Sequence, residues 1–286
     1  METNTISRRT LVKSSIFGVL AASIPSISYA SEMVPTLSEE GRKEGLFHRY
    51  PSIDDEIVST VVGASHFDFD KVKGLVTKRP ELARATWDWS FGDWETAIGA
   101  ASHVGRRDIA NLLIDHGARP DIFTFAMFGN YDVVKSMIEA RPGVQSLAGP
   151  HGISLLSHVK AGLRSKEITS SQKEESEALL KYLEGLGDAD PQAKDIEMSE
   201  EAKQKYLGDY MYGAGPTDGF SVKINMRKML SLGKLGDFGG GLYQKAPNVF
   251  TYNGISSVEI SFQIENGKVI SLTVHEPDLT LVAKKV

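Results

Sequence analysis

Apolar side chains in the first two thirds of the chain recur every three or four residues. Ile109, Leu112 and Leu113 are spaced i, i+3 and i+4, which gives a helix one apolar face. Gly117 follows this face and can adopt the left-handed conformation that ends a helix. The pattern therefore predicts a series of short amphipathic helices.

The period changes to two in residues 203–286. Alternating apolar residues at 258–264 predict a half-buried strand, and residues 270–274 continue the alternation. Between them lies Asn266-Gly267, the dipeptide that best accommodates the positive φ angles of a tight hairpin. Further strands are predicted at 220–226, 241–245, 249–252 and 280–284. This segment is therefore expected to form a small antiparallel sheet or barrel.

A helical motif recurs with the spacing of a repeat protein. Residues 95–121 (ETAIGAASHVGRRDIANLLIDHGARPD) resemble one full ankyrin repeat. The pattern returns at 128–138, and Gly129 and Gly162 are 33 residues apart, which is the ankyrin period. The resemblance implies an ankyrin-repeat α-solenoid over residues 53–191. An unrelated bundle of amphipathic helices is the alternative.

Two short motifs in the β segment resemble a different family. Residues 206–210 (YLGDY) and 262–269 (FQIENGKV) resemble the small β domain that follows serine β-lactamase-like hydrolases. That domain is an accessory in its family, so the resemblance implies no active site here. The expected fold class is α+β with two domains, the solenoid followed by the small antiparallel β-sheet or barrel. A linker or capping segment is expected at 31–52, and a linker is expected at 192–202.

The first 30 residues have the features of an export signal. Arg8 and Arg9 start a basic stretch, an apolar stretch too short to span a bilayer follows at 16–27, and small residues allow cleavage after Ala30. Residues 7–13 (SRRTLVK) resemble the twin-arginine signal, with an ordinary secretory signal as the alternative. The sequence therefore predicts a periplasmic or secreted protein.

Charge and cysteine content narrow the possible partners. The full chain has 32 Lys and Arg against 37 Asp and Glu, a net charge of −5. Removal of residues 1–30 takes away three basic residues and one acidic residue, leaving 29 against 36 and a net charge of −7. A negative charge opposes binding to phosphate backbones, so no nucleic-acid partner is expected. The absence of cysteine excludes disulfides and thiolate metal sites.

No catalytic or cofactor motif is complete. Ser-x-x-Lys motifs begin at Ser157, Ser170 and Ser231. The Ser-Asp-Asn and Lys-Thr-Gly elements of serine hydrolases are missing, and the glycines at 233–241 lack the Gly-Lys-Ser/Thr of a phosphate loop. The seven histidines show no His-Glu-x-x-His spacing, and His103 and His158 are predicted to be capping or surface groups. We therefore expect no enzymatic activity, no cofactor and no metal ligand.

Aromatic residues gather in one short segment that holds all three tryptophans of the chain within eight residues. They are Trp87, Trp89, Phe91 and Trp94. Trp is enriched among the anchors of protein interfaces, so this cluster is the predicted binding surface. The alternative is a structural role in which the rings cover exposed helix ends.

The function expected from the sequence is the non-catalytic binding of another protein in the periplasm. The main alternative is a small apolar ligand held by the β domain, with the helical part as a docking arm. A third possibility is an enzyme inhibitor or an immunity-type protein. The partner's identity and the oligomeric state are not determined by these patterns.

Overall fold

The computed structural model describes residues 50–191, 198–237 and 239–286. Val58–Val286 form one compact unit. The predicted export signal of residues 1–30 lies outside the described residues, as do most of the predicted linker at 31–52 and part of the one at 192–202. No helix in the described ranges is both long enough and apolar enough to cross a membrane.

Short helices occupy the described chain up to residue 204. They are α1 (Asp55–Ala64), α2 (Phe69–Lys78), α3 (Ala97–Val104), α4 (Arg107–Asp115), α5 (Ile122–Phe128), α6 (Tyr131–Ala140), α7 (Leu155–Leu163), α8 (Ser170–Leu186) and α9 (Glu200–Gln204). Single 3₁₀ turns lie at Pro80–Arg84, Val144–Ser146 and Pro150–Gly152. The hydroxyls of Thr96 and Ser154 accept N-terminal backbone N–H groups of α3 and α7, which explains where these helices begin. Gly105 ends α3 with a φ of 84°, a conformation that glycine adopts without strain.

A two-stranded hairpin lies between the Pro80–Arg84 turn and α3. It consists of β1 (Thr86–Asp88) and β2 (Trp94–Thr96), with Trp87 opposite Glu95. Successive side chains of a strand point to opposite faces. Trp94 is accordingly 63% exposed, while Glu95 is completely buried.

The predicted apolar seam of the helical part is confirmed at its centre. Ile109 and Leu113 on α4 are completely buried.

A Cβ atom at Gly162 would lie only 1.8 Å from the carbonyl oxygen of Met127. The ends of α5 and α7 therefore approach so closely that only glycine fits at position 162.

Eight antiparallel strands form a closed barrel. They are β3 (Gly208–Met211), β4 (Gly219–Ile224), β5 (Leu230–Lys234), β6 (Gly240–Ala246), β7 (Val249–Tyr252), β8 (Ile255–Glu265), β9 (Lys268–Glu276) and β10 (Leu279–Lys285). Each strand pairs with the next, and β10 pairs with β3, which closes the sheet. Inward-facing side chains such as Tyr210, Phe250, Ile260 and Leu272 are at most 1% exposed, so a packed core occupies the interior.

The strand predictions made from alternation are confirmed. Asn266 and Gly267 form the turn between β8 and β9 with φ angles of 49° and 79°. Glu265 and Lys268 face each other on the two sides of this turn. The observed β4, β6, β7 and β10 coincide with the four further predicted strands to within two residues.

The predicted fold class is nevertheless wrong. We expected two domains, an ankyrin-repeat α-solenoid followed by a small sheet or barrel. In a solenoid each repeat contacts only its neighbours, whereas α3 packs against both α5 and α7. The structure is instead a closed eight-stranded barrel preceded by a helical part. Periodicity predicts which face of each helix is buried, but the way the helices stack depends on contacts between distant residues.

Candidate metal centre

Four side chains from four separate segments meet inside the helical part. His66 follows α1, Glu95 lies on β2, His103 lies on α3 and His151 lies in the Pro150–Gly152 turn. Each of them offers one potential ligand atom, and the four atoms all lie within 4.8 Å of one another. The spacing of the histidines in the sequence predicted no such site.

The distances between these atoms match the edges of a small tetrahedron. The Nε2 atom of His103 lies 3.0 Å from His66 Nε2 and 3.0 Å from Glu95 Oε1. His151 Nε2 is 3.3 Å from Glu95 Oε1, and His66 Nε2 is 3.5 Å from Glu95 Oε2. A tetrahedral zinc ion with ligands at 2.0–2.1 Å requires ligand atoms about 3.3 Å apart. These four distances lie near that value, and all four ligand atoms lie within 4.8 Å of one another, so an adjustment of the side chains would allow the groups to surround such an ion.

Glu95 is the most buried member of the cluster, with a side chain that is 0% exposed. Burial by itself opposes its charge, but the imidazoles of His103, His151 and His66 outweigh burial and hold the pKa of Glu95 well below its usual range. Its Oε1 atom lies near two of these imidazoles, yet no group among the described residues is oriented to give it a hydrogen bond. A buried anionic oxygen without a donor is costly, and a bound cation would satisfy it.

Outer hydrogen bonds orient two of the histidines toward the centre. Nδ1 of His66 donates to the carbonyl oxygen of Gly63 at 2.9 Å, and Nδ1 of His151 donates to Asp93 Oδ2 at 2.6 Å. Because both partners accept, each Nδ1 carries the hydrogen, so that the ring in its neutral form presents the lone pair of Nε2 to the centre. This second set of hydrogen bonds is the usual arrangement around metal-bound histidine.

The three imidazoles differ in how their surroundings affect protonation. Burial opposes the charge of His151, but Asp93 and Glu95 outweigh burial and raise its pKa to about 10. The pKa of His66 is also raised, because the nearby Glu95 carboxylate outweighs the effect of burial. Burial dominates at His103 and lowers its pKa despite Glu95. Positive charge on His151 and His66 is therefore favoured beside the Glu95 carboxylate.

The hairpin also places the predicted aromatic cluster. Trp89 Nε1 donates to Glu95 Oε2 at 2.7 Å, so this ring holds the second carboxylate oxygen. Phe91 packs edge-on against Tyr252 of the barrel, with ring centres 4.8 Å apart. Trp87 is half-buried on β1, and Trp94 is exposed on β2. Of the four predicted binding residues, Trp94 therefore presents the most surface to a partner.

The prediction that His103 and His158 are capping or surface groups is wrong. The side chain of His103 is 9% exposed, and His158 is completely buried beside Phe123. Burial lowers the pKa of His158 to about 4, and its Nε2 atom has no hydrogen-bond partner within residues 50–191, 198–237 and 239–286. Both lie on inner helix faces, α3 and α7, which sequence spacing could not distinguish from the surface.

The centre could not be detected from spacing, because its members are far apart in the chain. His66 and His151 are separated by 85 positions. One available signal was Glu95. Successive side chains of a strand point to opposite faces, so this acidic residue points away from the face of the exposed Trp94. The three Ser-x-x-Lys motifs lie apart on α7, α8 and β5.

No protein-family model, curated protein or solved structure gives a significant match to this chain.

Proposed function

We propose that this protein binds a divalent transition-metal ion, with Zn²⁺ as the best fit, through His66, Glu95, His103 and His151. The observation that carries the proposal is the buried Glu95 Oε1, which receives no hydrogen bond from the described part of the chain and lies beside imidazole Nε2 atoms. A cation at this point neutralises the carboxylate and satisfies the oxygen.

A network of ion pairs without metal is the competing explanation, and it satisfies the site less well. His103 Nε2 lies 3.0 Å from both His66 Nε2 and Glu95 Oε1. A single Nε2–H can point at only one of these two neighbours. A metal ion at the centre accepts electron pairs from all of them at once.

The donor set indicates the class of metal. Three imidazole nitrogens and one carboxylate oxygen suit Zn²⁺ and its first-row neighbours, whereas Ca²⁺ and Mg²⁺ require mostly oxygen ligands. Geometry and availability decide among the transition metals, and a tetrahedral arrangement favours zinc.

The proposed role of the ion is structural. Catalytic zinc sites retain an open position for water or substrate, while structural sites fill four positions with protein ligands. Here four side chains supply four donors. The side chains of His66 and His151 are 22% and 23% exposed, so an ion can enter from their side.

The first experiment measures Zn²⁺ binding by calorimetry and native mass spectrometry, with Co²⁺ absorption as a report on geometry. We expect one ion per chain and a tetrahedral Co²⁺ spectrum. His103→Ala should weaken binding by more than the roughly 100-fold that loss of an outer-shell partner can cause. His116→Ala is the matched control, because His116 bonds to the carbonyl oxygen of Leu112 outside the cluster. Failure of the wild-type chain to bind Zn²⁺ or Co²⁺ would contradict the proposal.

A second candidate function is the binding of another protein in the periplasm. The observation in its favour is the exposed indole of Trp94, a residue type that is enriched among interface anchors. Because Trp94 is next to Glu95, such a surface would lie on the same hairpin as the metal ligand. The two functions are compatible.

A further inference from the structure

One buried carboxylate connects the candidate metal centre to the barrel. Asp93, which is 5% exposed, accepts both the backbone N–H of His151 at 2.9 Å and its Nδ1–H at 2.6 Å. The Oδ2 atom of Asp93, which accepts the Nδ1–H of His151, also accepts the Nδ2–H of Asn253 at 2.6 Å. Asp93 thus links a ligand of the centre to a residue of the barrel.

The barrel holds Asn253 rigidly. It lies in the turn between β7 and β8 and is 4% exposed. Its Oδ1 accepts the N–H of Gly241 at 2.5 Å, and its own backbone N–H donates to the carbonyl oxygen of Gly241 at 2.7 Å. Two bonds to β6 therefore fix the direction in which its Nδ2–H points.

Two further contacts support the same junction. The hydroxyl of Tyr243 on β6 donates to the carbonyl oxygen of His151 at 3.2 Å. Phe91 has a φ of 58°, which is rare for a bulky residue, and its ring packs against Tyr252. The segments that carry Asp93 and His151 are thus held in place by the barrel.

We propose that Asn253 is a positioning residue for metal binding, acting through Asp93 on His151, so that the barrel sets the metal affinity of the helical part. This inference rests on the proposed function. Outer-shell partners orient a histidine ligand and raise its basicity, and their loss typically weakens metal binding by about 10- to 100-fold. Linkage is reciprocal, so a bound ion also stabilises the contact between the hairpin and the barrel.

The test compares Asn253→Asp with Asn266→Asp in the full chain. At position 253 the substitution retains an acceptor for Gly241 but removes the donor to Asp93 and opposes it with a second carboxylate. Asn266 is the matched control, since it also occupies a turn with positive φ, at the other end of β8, and the charge change is the same. Asn253→Asp should weaken Zn²⁺ binding about 10- to 100-fold and alter the Co²⁺ spectrum, while Asn266→Asp should match the wild type.

The outcomes separate this inference from the proposed function. If the wild-type chain binds no Zn²⁺, the proposed function fails. If the wild type and Asn253→Asp bind equally well with the same Co²⁺ spectrum, Asn253 has no positioning role and the inference fails. If Asn253→Asp does not fold, as judged by circular dichroism, Asn253→Ala tests the same bond, because it removes the donor to Asp93 without adding a second carboxylate. Unchanged Zn²⁺ affinity in Asn253→Ala would then overturn the inference.

Discussion

Arg107 shows how a single residue can hold several helices together. It is the first residue of α4, and it is only 4% exposed. Its guanidinium donates to the carbonyl oxygens of Met127 at 3.0 Å, Phe128 at 3.2 Å and Gly162 at 3.4 Å. These carbonyls lie at the C-terminal ends of α5 and α7, where helical acceptors lack partners and negative charge accumulates. Arg107 therefore satisfies two helix ends at once.

We predict that Arg107→Met costs about 2–4 kcal/mol of unfolding free energy, because buried carbonyl oxygens lose their donor. Arg107→Lys should recover part of the loss, since it keeps the charge but not the fork of donors. Urea denaturation measures both changes. Arg106→Met is the control and should cost about 1 kcal/mol or less, because Arg106 forms a partly exposed pair with Asp108. A loss below about 0.5 kcal/mol for Arg107→Met would contradict this role.

At the scale of elements, the β1–β2 hairpin serves both candidate functions. Its inward face supplies Glu95 to the metal centre, and its turn supplies Asp93 to the junction with the barrel. Its outward face presents Trp94 to solvent. The alternation of a strand separates these roles over neighbouring positions, so each can be tested without disturbing the other.

We predict that Trp94→Ala changes the free energy of unfolding by no more than about 0.5 kcal/mol, because the side chain is 63% exposed. If the hairpin binds a protein, the tagged wild-type mature chain should retain that partner from a periplasmic extract. The tagged Trp94→Ala variant should lose it. Tyr212→Ala is the control, because Tyr212 is an exposed aromatic residue that follows strand β3 of the barrel. Equal retention by Trp94→Ala and the wild type would exclude Trp94 as the anchor.

At the scale of the whole molecule, the helical part and the barrel form one compact unit within Val58–Val286. Their contacts include the bond from Asn253 to Asp93 and the bond from Tyr243 to His151. Both bonds join residues more than 90 positions apart. A zinc ion bound beside this junction would stabilise the folded chain by an amount that rises with the logarithm of the free zinc concentration divided by the dissociation constant.

We also predict that the chain is exported with cleavage after Ala30, so that the mature protein begins near Ser31. Replacement of both Arg8 and Arg9 by Lys should block export through the twin-arginine route. Mass mapping of periplasmic and membrane fractions measures the outcome. Unchanged export of the double variant would indicate the general secretory route, and an intact leader on membrane-bound protein would contradict cleavage.

The sequence by itself determined the local structure of this protein. The spacing of Ile109 and Leu113 predicted a buried helix face, and Asn266-Gly267 predicted the hairpin turn between β8 and β9. Gly117 has the left-handed conformation expected after α4, with a φ of 93°. These features depend on residues within a few positions of one another, so periodicity and turn chemistry reveal them.

Only the tertiary structure decided how these elements meet. His66, His103 and His151 converge because α1, α3 and the Pro150–Gly152 turn pack around β2. The closure of the sheet depends likewise on β10 reaching β3. Neither contact leaves a periodic trace, because each joins segments far apart in the chain and depends on the packing between them. The solenoid expected from the repeats was wrong for this reason, and the candidate metal centre was not predicted for the same reason.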